Sequence, residues 1–206
     1  MVVQVNQADS YSVTVSTYEN VFEHLDISQS GKTLSIHLTR GSYSNTATKV
    51  TITMPELLGF KLSGASKGDI QGFKSSSDFE LTVSGASRLN VNMETGRTEM
   101  DISGASRVSG QLVALDTTLT LCGASRCELS GSAKDTTSDV SGASQALTGD
   151  FQLQNAVMSV SGASRVTINT NGTLSVDLTG ASTLEYSGNP IMKKVTVNGA
   201  SRLIHR

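Results

Sequence analysis

The sequence predicts an all-β protein: a right-handed, single-stranded parallel β-helix of about nineteen residues per turn, opened by an irregular β cap. Three observations carry that expectation. A Ser-Gly-Ala-Ser motif and its close variants recur eight times at near-constant spacing. Apolar and polar residues alternate with period two around each copy, which is the strand period. No segment shows the 3.6-residue apolar rhythm of a helix.

Residues 1–60 lack the motif but keep the texture of strands. Tyr11-Ser12-Val13-Thr14-Val15 alternates, as do Thr33-Leu34-Ser35-Ile36-His37-Leu38-Thr39 and Lys49-Val50-Thr51-Ile52-Thr53-Met54, and Pro55 then interrupts. Most of the aromatic residues lie in or near this stretch. It is expected to form irregular first coils, continuous with the solenoid of residues 61–206. A bare stack of strands templates aggregation, so these coils are expected to cap its open end.

The motif then appears as Ser63-Gly64-Ala65-Ser66, Ser84-Gly85-Ala86-Ser87, Ser103-Gly104-Ala105-Ser106 and Cys122-Gly123-Ala124-Ser125. It continues as Ser141-Gly142-Ala143-Ser144, Ser161-Gly162-Ala163-Ser164, Thr179-Gly180-Ala181-Ser182 and Asn198-Gly199-Ala200-Ser201. Successive glycines are 21, 19, 19, 19, 20, 18 and 19 residues apart. Two positions before each Gly stand Leu62, Val83, Ile102, Leu121, Val140, Val160, Leu178 and Val197, all apolar; the position before these is polar in every copy (Lys61, Thr82, Asp101, Thr120, Asp139, Ser159, Asp177 and Thr196). A strand should therefore enter the motif, bend, and leave as a second strand. A turn this short cannot bury its apolar face alone, so turns must stack about 4.8 Å apart. Gly and Ala suit the corner because the bend needs positive φ and the interior offers little room. Left-handed β-helices keep an almost invariant eighteen-residue turn, so drift from 18 to 21 favours the right-handed form. Stacked hairpins are the weaker alternative, because Asn171-Gly172 and Asn198-Gly199 are the only Asn-Gly turn signals. The last motif ends five residues before Arg206, so the final rung is expected either to pair with another copy or to stay short and charged.

Composition removes several function classes. Net charge is −2 with 17% charged residues, too little to draw in nucleic acid. No apolar run approaches the roughly 18 residues of a membrane span. Met1-Val2-Val3-Gln4 lacks the features of a leader, which is expected to be absent from this chain. Two cysteines, Cys122 and Cys127, are too few for a disulfide framework and are expected to be small, wholly or partly buried thiols.

The chemistry of catalysis is sparse. His24, His37 and His205 are far apart and have no metal-ligand spacing, so neither metal nor cofactor is expected. A polysaccharide-active enzyme on this fold needs clustered carboxylates and aromatic platforms. Residues 61–206 hold only Phe73, Phe79, Phe151 and Tyr186 as aromatics, while Asp101, Glu128, Asp139, Asp177 and Glu185 are spread over the turns. One constellation remains. Three residues after each Gly stand Lys67, Arg88, Arg107, Arg126, Gln145, Arg165, Thr183 and Arg202. Stacked in register, the basic members form a ladder that meets an anionic polymer through bidentate Arg contacts. The blander account, favoured by the near-neutral charge, pairs each cation with a neighbouring Asp101, Glu128 or Glu185. Asp116-Thr117-Thr118 and Asp135-Thr136-Thr137 resemble O-glycosylation sites of bacterial envelope proteins, and also suit an exposed turn.

Serial Ser-Gly-Ala-Ser-Arg copies, preceded by Val50-Thr51-Ile52-Thr53-Met54-Pro55-Glu56-Leu57, resemble the putative auto-transporter adhesin head GIN domain family over essentially the whole chain. The resemblance implies a right-handed parallel β-helix at the cell envelope or outside the cell, and brings no catalytic residues. Three functions are expected in descending order. The first is a non-enzymatic surface or periplasmic module that binds a glycan or protein. The second is a self-assembling scaffold of the bactofilin kind, joined through the open C-terminal end. The third is a polysaccharide-active enzyme.

Overall fold

The structure, a computed structural model, describes residues 1–39, 41 and 47–206. The expected cap therefore includes a few residues, 40 and 42–46, that lie outside the described residues. The chain runs through β1 (Val2–Gln7), β2 (Ser12–Ser16), the one-turn helix α1 (Glu19–Phe22), β3 (Leu25–Ser30), β4 (Thr33–Leu38), β5 (Lys49–Met54), β6 (Gly59–Leu62), β7 (Lys67–Lys74) and β8 (Phe79–Val83). Five long strands follow: β9 (Arg88–Ile102), β10 (Arg107–Leu121), β11 (Arg126–Val140), β12 (Gln145–Val160) and β13 (Arg165–Leu178). The last elements are β14 (Thr183–Ser187), β15 (Ile191–Val197) and β16 (Arg202–His205).

Each long strand fills nearly a whole turn and lies parallel to the strand one turn away, as the repeat predicted. The strands of one turn are not separate elements in the middle of the stack, however. They form one bent ribbon from corner to corner, because stacked turns bend at the same place and the ladder of hydrogen bonds survives the bend. In β10 the alternation slips once, at Leu115-Asp116, where neither of two consecutive residues is buried. The slip recurs at Lys134-Asp135 in β11. The uneven spacing is absorbed by register shifts between Glu128 and Gly131, between Thr148 and Gln152, and between Leu153 and Asn155.

The inward residues make one continuous core. Leu62, Val83, Ile102, Leu121, Val140, Val160 and Leu178 are at most 3% exposed. Each such burial contributes about 1.5–3 kcal/mol before entropy is counted. Val197, the same position in the last turn, is 42% exposed because no rung lies beyond it in this chain.

The three strands expected in residues 1–60 fall at β2, β4 and β5. Three features lie outside that expectation. β1 enters the main sheet between β5 and β7, parallel to both, and lays Val3 and Val5 against Val50, Ile52 and Ile70. α1 is short and buries only Val21. β3 pairs antiparallel with β4 through a two-residue turn at Gly31-Lys32, forming a separate two-stranded sheet.

Candidate functional site

The repeated corner organises the outer surface. Gly104 has φ +76°, and a Cβ there would lie 2.5 Å from the carbonyl oxygen of Gly85 in the turn before. That carbonyl accepts two hydrogen bonds from the next turn: the Ala105 amide at 2.7 Å and the Ser106 hydroxyl at 3.3 Å. The pattern repeats with Ser87 on Gly64, Ser125 on Gly104, Ser144 on Gly123 and Ser164 on Gly142. The sequence reading placed the small Gly and Ala side toward the interior, and the structure reverses it. Gly85 and Ala86 are exposed whereas Ser87 is buried, and the copies through Ser182 follow suit, while Ser201 in the last turn is half-buried. The Ser side chain turns inward because its hydroxyl finds a carbonyl there, which removes the cost of burying it unpaired.

The residues three after each Gly form a single row. Pairing runs Lys67–Arg88–Arg107–Arg126–Gln145–Arg165–Thr183–Arg202, one step per rung without a break in register. Lys67, Arg88, Arg107, Arg165 and Arg202 are exposed and Arg126 is half-buried. Like charges about 4.8 Å apart repel by about 1 kcal/mol in water.

The pairing account of this row holds at one rung. Arg126 forms an ion pair with Glu128 on its own strand and donates to the Gln145 side chain at 2.9 Å. Glu185 pairs with Arg206 instead of a ladder residue. Among the described residues, no carboxylate lies within 4.0 Å of the charged groups of Lys67, Arg88, Arg107, Arg165 or Arg202. Asp101 makes no ion pair within that distance either.

The rows beside the ladder are polar. Asp69 accepts hydrogen bonds from the side-chain amides of Gln71 and Asn90, each at 2.9 Å, and Asn92 donates to Gln71 at 3.3 Å. Across the corner, three residues before the Gly, the register brings Lys61, Thr82, Asp101, Thr120, Asp139, Ser159, Asp177 and Thr196 into a second row. From Asp101 onward a carboxylate stands on every second rung, with a hydroxyl between. The corner separates a basic row from an acidic one, an arrangement missed in the sequence although both rows follow from the same count.

Residues weighed for catalysis do not assemble. Phe73, Phe79 and Phe151 are buried in the core, and Tyr186 stacks on His205 with ring centres 4.7 Å apart. His37 lies 3.4 Å from Asp26 in the hairpin. Among the described residues, no three His, Cys, Asp or Glu side chains group closely enough to hold a metal, and no helix is long and apolar enough to cross a membrane.

Both cysteines are free; Cys122 is half-buried at a corner where most other turns carry Ser, while Cys127 is wholly buried. Burial, assisted by the Glu128 charge, pushes the Cys127 thiol up to about 12. The Asp-Thr-Thr pair also differs from the exposed-turn reading. Thr117 and Thr136 point into the core, where their hydroxyls have no partner among the described residues. They line a cavity of about 20 Å³, room for one water. The alternation slip at Asp116 and Asp135 turns them inward, so only Thr118 and Thr137 remain exposed.

Residues 1–190 match the model of the family described as putative auto-transporter adhesin, head GIN domain. Solved structures share the fold at low identity. A putative adhesin from Parabacteroides distasonis has a TM-score of 0.92 at 14% identity, over 100% of this chain and 89% of that one. A putative lipid binding protein from the same species has a TM-score of 0.92 at 17% identity, over 99% and 88% of the two chains. A putative adhesin from Parabacteroides merdae has a TM-score of 0.89 at 13% identity, over 99% and 87%. No curated protein sequence matches the chain.

Proposed function

Since the chain belongs to the family of the putative auto-transporter adhesin head GIN domain, we propose that it is a non-enzymatic binding module of the cell envelope or extracellular space. Its ligand is a surface glycan or protein that lies against the flank of the solenoid. The observation that carries this reading is the register. Outward positions of β9–β13 line up in rows along the stack, interrupted at the register shifts, so the flank offers ordered files of side chains such as Arg88–Arg107–Arg126 at a step of one rung. Such a surface suits an extended ligand with its own repeat, as concave solenoid faces do. The neighbours with the same fold at TM-scores near 0.9 include chains named as adhesins and one named as lipid binding, which supports a binding role.

The test is an array of envelope glycans and proteins probed with the intact chain, followed by footprinting of the bound complex. Protection along outward residues of β9–β13 is the expected result. Cleavage of a glycan on the array, or protection confined to the first and last elements, overturns it.

A second reading rests on the last rung. Val195 and Val197 are 46% and 42% exposed, against 2% and 0% for Val176 and Leu178 one turn earlier. Those side chains continue the inward rows of Val176 and Leu178 at the open end of the core, which a second copy can cover. Sedimentation showing elongated oligomers supports this assembly, and a concentration-independent monomer removes it.

A further inference from the structure

The three consecutive cations Lys67, Arg88 and Arg107 differ from the rest of their row. They are exposed, they stand on adjacent rungs, and no carboxylate within 4.0 Å among the described residues neutralises them. At the next rung the run ends, because Arg126 is turned aside by Glu128 and Gln145. Asp69, the acid on the adjacent row, is already engaged by Gln71 and Asn90. We propose that this run binds a linear polyanion built of carboxylate-bearing sugars, laid along the solenoid axis with one anionic group near each rung.

The direction follows from the charge pattern. Along the axis the cations succeed one another at about 4.8 Å, so the run spans about 10 Å. Across the corner the facing row carries Lys61, Thr82 and Asp101 on these rungs and Asp139 and Asp177 farther on, so it offers no continuous run of cations and its acids repel the ligand. Arg88 and Arg107 offer planar forks that fit carboxylates in two-point contact, whereas Lys67 acts as a point charge. Asn92 and Gln111 are exposed on neighbouring rungs four residues farther along each strand, and carboxamides there can bond sugar hydroxyls. The ligand also relieves the repulsion among the three cations, a gain that added salt weakens.

This inference rests on the flank-binding reading, and its test separates the two. Intact chain is titrated with polygalacturonate, and with the same polymer methyl-esterified, at about 50 and about 500 mM NaCl, between which the Debye length contracts strongly. Binding of the acid polymer is expected to weaken at least about tenfold in high salt, and the ester is expected not to bind. The R88Q/R107Q double variant should lose about tenfold or more in affinity by removal of two charge-assisted contacts. Glu128→Gln should tighten binding by a few fold, because it releases Arg126 to extend the run. K193Q/K194Q, which removes exposed cations elsewhere, should change nothing. The row already accepts Gln at Gln145, so these variants should fold, and a melting curve within about 2 °C of the parent verifies it.

Salt-insensitive binding, binding of the ester, or equal losses in R88Q/R107Q and K193Q/K194Q overturns the proposal. No binding of polygalacturonate alongside a neutral glycan or protein bound on the flank overturns it and leaves the broader reading intact. Failure of every ligand overturns both.

Discussion

The middle turns and the β3–β4 hairpin are built from the same kind of sequence, yet they end in different environments. In β10 alternation puts Val108, Leu112, Leu119 and Leu121 at 4% exposure or less. In β4 the alternation is just as regular, but Leu34 and Ile36 are only half-buried; in its partner β3, Ile27 is 46% exposed and no residue is buried. The middle turns have a rung on either side that supplies both hydrogen bonds and apolar cover. The hairpin has only itself and partial contact of Leu34 and Ile36 with the core. Alternation thus declares a strand, and stacking decides whether that strand becomes a core.

Glycine substitution should break this contrast most sharply. Gly104→Ala forces a methyl group to 2.5 Å from the Gly85 carbonyl, which two hydrogen bonds hold in place. Left-handed strain and clash together should cost about 4 kcal/mol. Gly31 in the hairpin also has positive φ, +58°, but nothing lies within 4 Å of its added Cβ. Gly31→Ala should therefore cost only about 1 kcal/mol. Denaturant melts of the two variants compare them directly, and equal losses would mean the corners are not stacked.

Truncation in the core comes next. Leu121→Ala, at a fully buried position, should cost about 3 kcal/mol. Ile27→Ala should stay within about 0.5 kcal/mol of the parent, as surface changes do. A large loss at Ile27 would show that the hairpin is packed against something beyond its own sheet.

The smallest effect probes an imperfection inside the well-packed region. Thr136 buries a hydroxyl without a partner among the described residues, so Thr136→Val should stabilise the chain by about 1 kcal/mol. A loss of stability instead would mean that a water in the adjacent cavity satisfies Thr117 and Thr136 together.

Sequence counting read the solenoid and its flank deeply because the fold is nearly one-dimensional. Once eight glycines are aligned, residues a turn apart become neighbours, and Lys67, Arg88 and Arg107 fall into one row. The inward Ser was also within reach: stepping back by two from Leu89 arrives at Ser87. What hid it was the assumption that the smallest residues belong inside. Thr117 and Thr136 could not be read, because a single slip in the alternation at Asp116 and Asp135 reverses their direction. Nor could the ion partners, since Arg126 selects Glu128 on its own strand and Glu185 selects Arg206.

The sequence alone determined the period, the strand character, the corner positions and the rows they generate, since each depends on a local rule applied at regular intervals. Tertiary structure decided where β1 inserts, which alternating strands acquire a core, and which cations remain unneutralised. Those outcomes depend on what stands beside a residue from distant parts of the chain. A repeat can specify its own next copy, but it carries no local signal for a partner that lies outside the repeat.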